Sequence, residues 1–229
     1  METIELTILI PCLNEEKTIG TCIKKANEFL MKNEIQGEVL VADNGSTDNS
    51  RTIAKNLGAR VECIEKRGYG AALIGGTKKA KGKYIIMADA DDSYNFLEIL
   101  PIYLELKNGY ELVVGNRYRG ELEKGSMKFL HRYVGTPIIS FIARKKYNLE
   151  IEDFNCGLRG YVKEKIEKIN CKCEGMEYAS EMIIKAKLND LKIKEVPINF
   201  YKDRRGRKSH LNPIKDAIRH LKIIYDIKD

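Results

Sequence analysis

The sequence predicts an α/β protein with a mostly parallel central sheet and helices on both faces. Two observations predict it. Apolar runs of strand length alternate with segments of helical period through the first 115 residues, and a polar or acidic cluster follows each apolar run. Strand, helix, strand in this order implies right-handed crossovers. In open sheets of this kind ligands bind beyond the carboxyl ends of the strands.

Each element follows from its residues. "TIELTILI" (3 to 10) reads as a buried strand, and Ile19, Ile23, Ala26 and Leu30 then recur at helical spacing. "EVLVAD" (38 to 43) is a second strand, and residues 48 to 57 form a helix stopped by Gly58. "RVECIE" makes a third strand, 70 to 81 a helix, "KYIIMAD" a fourth strand, 94 to 108 a helix and "ELVVG" a fifth strand. Beyond residue 116 a helix across 126 to 143 would align Met127, Leu130, Val134, Ile138 and Phe141 on one side, with Lys128 and Arg132 elsewhere. Such a helix suits either core packing or a membrane interface with its cations at the head groups. "DFNCGLRGY" (153 to 161) reads as a loop, 177 to 189 as a helix, "LKIKEVPINF" as a strand, and "KDRRGRKSHLNP" as a basic loop before a last helix over 214 to 225. We read residues 1–229 as one domain, with a first half over 1–115 and a second over 116–229.

Composition narrows the classes. The 229 residues are 43% hydrophobic and 32% charged, ordinary for a globular domain with a real core. Six scattered cysteines and no signal peptide predict a reducing compartment rather than a disulfide framework. No run approaches the roughly 20 apolar residues that span a bilayer. Residues 115 to 146 hold eight Lys or Arg against two Glu, and 201 to 229 hold nine against four Asp, so the net charge of +7 belongs to these two blocks. They suit phosphates or anionic lipid head groups. Nucleic acid is not expected, because no aromatic stacking platform or helix-turn-helix pattern accompanies the charge.

The chemistry concentrates in "IIMADADDSYNF" (85 to 96), where an apolar strand runs into Asp89, Asp91 and Asp92. Acidic residues after a strand are often only turn formers. Here, however, the strand ends carry "PCLNEE", "DNGSTD", "KRGYG", "DADD" and "GNRYRG", which would bring Asn14, Glu15, Asp43, Ser46, Asp89, Asp91 and Arg117 to one edge of the sheet. Clustered carboxylates repel unless a cation neutralises them, so Asp89 and Asp91 are predicted to hold a hard divalent ion. "GYGAAL" (68 to 73) lacks the third glycine of a dinucleotide loop and follows the wrong strand, and no Walker loop occurs.

Taken in order, "ILIPCLNEEKTIG", "VADNGSTDNS", "GYGAAL" and "MADADDSY" resemble the nucleotide-sugar half of family 2 glycosyltransferases of GT-A fold. "GNRYRG", "LHRYVG", "DFNCGLRGY", "GMEYASEM" and "HLNP" resemble the polyprenyl-phosphate (dolichyl-phosphate) mannose and glucose synthases in particular. The resemblance implies a GT-A (Rossmann-like) sheet with a C-terminal subregion facing acceptor and membrane. It implies a metal-dependent inverting transfer of a hexose from a UDP-glucose or GDP-mannose type donor to a polyprenyl phosphate. Pro11, Asn14, Glu15, Asp43, Ser46 and Gly68 would receive the nucleotide sugar, and Asp89 and Asp91 would bind Mg²⁺ or Mn²⁺ bridging its diphosphate. This chain departs from many relatives in placing Asp92, Ser93 and Tyr94 after the acidic pair, where Asp92 suits a helix cap near Ser93. Relatives often append membrane-spanning helices, so peripheral contact with the inner face of the cell membrane, from the cytoplasm, is expected.

A phosphate acceptor is already anionic at neutral pH, so positioning cations matter more than a general base. Arg117 and Arg119, with His131 and Arg132, are the candidates for the acceptor phosphate. Arg204, Arg205 and Arg207 could close over the donor diphosphate. Glu177 and Glu181 share a helix face, and Glu181 stands as the candidate base should the acceptor be a soluble hydroxyl instead. A non-catalytic anion- or membrane-binding module is the remaining reading.

Overall fold

The sheet is built outward from β1 (Leu6–Cys12), whose seven residues are all buried. In the computed structural model, which describes residues 4–127, 135–206 and 213–227, β1 pairs in parallel with β2 (Gly37–Asp43) on one side and β4 (Tyr84–Met87) on the other. β3 (Arg60–Cys63) extends the sheet beyond β2. Leu9 lies opposite both Leu40 and Met87, and Cys12 opposite Asp43, so the polar ends of these strands emerge together. The reversal of strand order between β2 and β4 leaves a crevice at those ends.

The strand order is β3-β2-β1-β4-β6-β5-β7. β5 (Leu112–Asn116) and β7 (Ile193–Pro197) are parallel to each other, whereas β6 (Arg159–Val162) runs antiparallel to both β4 and β5. β6 stands where a loop is expected over 153 to 161, and corrects that expectation. Its four residues, Arg-Gly-Tyr-Val, are too few and too mixed to show a period, and only pairing with β4 and β5 makes them a strand. The mostly parallel α/β architecture stands.

Helices α1 (Ile19–Lys32), α2 (Ser50–Asn56), α3 (Tyr69–Lys79) and α4 (Leu100–Lys107) connect the first five strands. Ile19, Ile23, Ala26 and Leu30 form the buried stripe of α1, as their spacing requires. The fourth helix is shorter than 94 to 108: a 3-10 turn at Phe96–Glu98 precedes α4, which has Pro101 in its first turn. Asn95 caps that turn by accepting from the Leu97 amide, so Asp92 is not the cap. Asp92 instead takes a left-handed backbone, φ 63°, and its carboxylate pairs with Lys25 Nζ at 2.6 Å.

In the second half, α5 (Thr136–Tyr147) replaces the helix expected over 126 to 143, whose residues 128–134 lie outside the described ones. α6 (Lys163–Lys168) follows β6, and α7 (Tyr178–Leu188) packs against α3, α5 and α8 (Pro213–Asp226). Every residue of α7 from Tyr178 to Ile184 is buried, so this helix is internal. Arg159 of β6 is fully enclosed and donates to the backbone carbonyls of Phe154, Cys156 and Ala179 at 2.7, 2.9 and 2.6 Å. A buried cation is tolerated only when its donors are satisfied, and here it ties the 153–157 loop to α7. Ser180 Oγ and His220 Nδ1, 2.8 Å apart and buried, fasten α8 to the same helix.

Candidate active site

A cavity of about 430 Å³ opens beyond the carboxyl ends of β1, β2 and β4. Of the sequence-predicted residues, Pro11, Glu15, Gly68, Asp89, Asp91 and Arg205 line it. The apolar strands set the position of the crevice, because neighbouring strands end together and a polar segment follows each of them there.

Asp89 stands at the centre. Its Oδ1 accepts the Tyr69 phenol at 2.9 Å. Gly157 leaves room for the other oxygen: a Cβ there would come within 2.7 Å of Asp89 Oδ2. Burial, and secondarily the charge of Asp91, pushes the Asp89 carboxyl up to about 6. Asp91 Oδ1 accepts from the Ser93 amide at 3.0 Å and from its hydroxyl, while Asp91 Oδ2 faces Arg205 Nη2 at 3.2 Å.

Arg205 bridges the site. Its guanidinium meets Asp91 and, at 3.4 Å, Glu15 Oε1, and it is held in plane by Asp203, which accepts from Nε at 2.8 Å and Nη2 at 2.6 Å. The loop carrying it is bonded to the acidic segment by its backbone, Tyr201 N to Ser93 O and Arg204 N to Asp91 O. Arg204 lies against Asp92, 3.6 Å from its Oδ2, and is mostly exposed.

Other predicted residues shape the site without lining the cavity. Asn14, in a left-handed backbone at φ 58°, accepts from the amides of Thr47 and Asp48, and its own amide donates to Ser46 Oγ at 2.9 Å. Asp43 accepts from the amides of Gly45 and Ser46. These three side chains weave the loops after β1 and β2 into one wall. Arg117 is buried and forms a two-point fork with Asp153, 2.7 Å at both contacts, which holds its guanidinium well above its ordinary range against the opposing cost of burial. Its fork is therefore committed to the protein, as is that of exposed Arg119, which grips Glu152 at 2.9 and 2.8 Å.

Glu181 is also placed away from the cavity. Its carboxylate accepts from the Lys172 and Cys173 amides at 2.9 and 2.7 Å and from Lys185 Nζ at 2.8 Å. Although burial opposes it, these donors hold its pKa below the usual carboxylate range. It anchors the 171–175 loop, whose Gly175, with Met176, reaches the cavity. This corrects the placement expected of a base. Arg207, His131 and Arg132 lie outside the described residues.

Sequence reasoning missed Tyr69, Asn44, Arg67, Asp216 and Arg219, which also line the cavity. Tyr69 was in view inside "GYGAAL", but nothing in a helix-opening tyrosine signals a carboxylate partner twenty positions on. Asn44 Nδ2 donates to the Ile64 and Lys66 carbonyls and its Oδ1 accepts from Gly68 N, which draws the loop after β3 against β2. Asp216 and Arg219 come from α8, far away in sequence.

The residues present fit a divalent cation. Two cavity carboxylates, one with its proton affinity raised by burial beside the other, suit an ion that takes one or two carboxylates and completes its shell with substrate phosphates. Among the described residues no group of three His, Cys, Asp or Glu forms an all-protein cage. The sequence profile of glycosyl transferase family 2 matches residues 7–169.

The chain belongs to glycosyl transferase family 2.

This glycosyltransferase is 37% identical over 220 residues to the low-salt glycan biosynthesis hexosyltransferase Agl6 of Haloferax volcanii, covering 96% of the chain and 52% of that protein. It thus spans about half the length of Agl6. It is 30% identical over 203 residues to the dolichyl-phosphate hexose transferase of the same organism, covering 88% of the chain and 85% of that protein. Its GT-A fold matches crystallised glucosyl-3-phosphoglycerate synthase from Mycobacterium tuberculosis in complex with Mn²⁺, UDP and glucosyl-3-phosphoglycerate. That match has a TM-score of 0.75 at 21% identity and covers 98% of the chain and 81% of that one.

Proposed function

We propose that this glycosyltransferase moves a hexose, with inversion, from a nucleotide diphosphate sugar to a polyprenyl phosphate at the cytoplasmic face of a membrane. One observation carries the reading: Asp89 and Asp91 line one cavity together with Arg205, whose guanidinium lies 3.2 Å from Asp91. Two carboxylates beside a guanidinium form a receptor for a cation and a diphosphate together.

Asp89 and Asp91 would hold Mg²⁺ or Mn²⁺, which when bound supplies charge neutralisation for the departing diphosphate. Tyr69 orients Asp89 for that task, and Gly157 leaves it room. Pro11, Glu15 and Gly68 receive the donor along the ends of β1 and α3, in a wall fixed by Asn14, Asp43 and Ser46. Arg205, kept in plane by Asp203, exchanges its carboxylate contacts for the diphosphate, with Arg204 next to it in the chain; Arg207 remains a candidate from the sequence alone.

The acceptor needs no strong base, since a phosphate monoester is ionised at neutral pH. Glu181, its oxygens already occupied by two amides and Lys185, accords with such an acceptor. Arg219 adds a cation to the cavity wall from α8, and His131 and Arg132 remain candidates for the acceptor phosphate from the sequence alone. The names of the two Haloferax relatives, a hexosyltransferase and a dolichyl-phosphate hexose transferase, support a hexose and a lipid phosphate. The UDP and Mn²⁺ of the structural neighbour support the donor class and the ion, and Mg²⁺ with UDP occurs in another crystal of it.

The test is a transfer screen of radiolabelled UDP- and GDP-hexoses against short polyprenyl phosphates, with Mn²⁺ and with chelator. Label should pass into organic extract only with the ion. Label that never leaves the aqueous phase, with every donor, would remove the proposal.

A further inference from the structure

We propose that Arg219 of α8 receives the phosphate of the acceptor, exchanging its contact with Asp216 for the phosphate oxygens. The inference rests on the reading of the acceptor as a phosphate and names the residue that recognises it.

Two anions have to meet in one cavity. The acceptor phosphate carries about −1.5 to −2 charges at neutral pH, and the donor diphosphate repels it unless each has a cation of its own. The divalent ion and Arg205 serve the diphosphate. The wall also carries Glu15, Asp89, Asp91 and Asp216, so the second anion needs a further positive group.

Among the described residues three arginines line the cavity, Arg67, Arg205 and Arg219. Arg67 Nη1 donates to the Asn44 and Gly45 carbonyls and so ties the loop after β3 to the loop after β2. Arg205 lies between Asp91, Glu15 and Asp203. Arg219 differs from both. Among the described residues its guanidinium meets only Asp216, one turn back on the same helix, with Nη1 at 3.6 Å from Oδ1. That is a charge contact without a hydrogen bond. The planar fork that grips a phosphate at two points is therefore available on Arg219, and its side chain, 45% exposed, is within reach of a ligand. The arginines after β5 do not compete, because the forks of Arg117 and Arg119 close on Asp153 and Glu152.

The place of Arg219 is fixed from behind. Its neighbour His220 is buried and bonded to Ser180 of α7 at 2.8 Å, and Tyr147 of α5 donates to the Ile224 carbonyl at 2.7 Å. A binding group on an element anchored in this way keeps its aim. Asp216 offers the guanidinium a carboxylate, whereas a phosphate brings more charge and three acceptor oxygens and displaces it.

The test is calorimetric titration of the full chain, with Mn²⁺ and UDP present, by geranyl phosphate and by inorganic phosphate. Arg219→Ala should weaken both phosphates at least about tenfold, keep the wild-type melting curve and leave the affinity for UDP with Mn²⁺ unchanged. Arg219→Lys, which keeps the charge and loses the fork, should fall between the two. Asp216→Asn should bind geranyl phosphate at least as tightly as the wild type, because it removes the competing carboxylate. If the pair only braced α8, both variants would lose affinity together, and that result overturns the assignment. So does a folded Arg219→Ala that binds geranyl phosphate as tightly as the wild type, or a wild type that binds neither phosphate. Transfer assays separate this inference from the reaction on which it rests. Hexose transfer by Arg219→Ala with an unchanged KM for the acceptor removes Arg219 and leaves the reaction standing. Phosphate binding that Arg219→Ala loses, in a protein that transfers no hexose, refutes the reaction and leaves Arg219 as a phosphate receptor.

Discussion

Tyr69 donates its phenolic proton to Asp89 Oδ1 at 2.9 Å, across the gap between the first turn of α3 and the end of β4. The bond favours the ionised carboxylate, opposing the burial that lifts Asp89 to about 6. Removing it in Tyr69→Phe should raise that value further. We expect the acid limb of kcat/KM to move upward by roughly half a pH unit to one unit, with weaker Mn²⁺ binding. An unmoved limb would mean that another group sets it.

The same shift predicts how the metal-free protein responds to pH. Between the ordinary carboxyl value of 3.8 and about 6, folded Asp89 keeps a proton that the unfolded chain has released. Stability from this group is therefore full below the lower value and falls as pH rises through about 6. A cation that binds the carboxylate reverses the loss. Mn²⁺ with UDP should raise the melting temperature by several degrees, roughly 3–6 °C, at pH 7.5 and by much less at pH 5. Chelator should abolish the difference, and equal shifts at both pH values would count against Asp89 as a ligand.

Gly157 gives Asp89 its room. A methyl group there would stand 2.7 Å from Asp89 Oδ2 and 3.2 Å from the Tyr94 ring. Gly157→Ala should cost about 1–3 kcal/mol of stability and displace the carboxylate, weakening Mn²⁺ binding by calorimetry at least about tenfold. Full metal affinity in a folded variant would separate Gly157 from the site.

The Arg117–Asp153 fork should behave as a buried structural pair. Asp153→Asn would leave the guanidinium without its counter-charge, at a cost of about 3–5 kcal/mol in denaturant unfolding. Arg117→Met with Asp153→Leu should recover much of that loss. If the single variants are as stable as the wild type, the pair is not what holds the loop after β5.

Glu181→Gln tests the anchor against the base. Loss of charge at the Lys172 and Cys173 amides should lower stability by about 1–3 kcal/mol, while transfer falls by less than roughly tenfold, far short of the loss that follows removal of a general base. A well-folded variant with no turnover would make Glu181 the base and favour a hydroxyl acceptor.

Much of this was legible in the chain. Apolar period and strand length located β1, β2, β4 and β5 and the helices between them, because burial on both faces of a parallel sheet demands long apolar runs. The acidic pair was legible too, since β4 had to end where it did and Asp89 and Asp91 follow at once. Tertiary structure alone decided the rest. β6 is a strand only because β4 and β5 offer edges to its four residues. Arg117 and Glu181 spend their charge on Asp153 and on two amides because a buried ion must take the nearest partner, and no spacing in the sequence names that partner. Tyr69 meets Arg205 and Arg219 in one cavity although the two arginines stand more than a hundred positions further along the chain. Local periodicity determines which segments are buried, whereas the convergence of side chains is a property of how those segments pack.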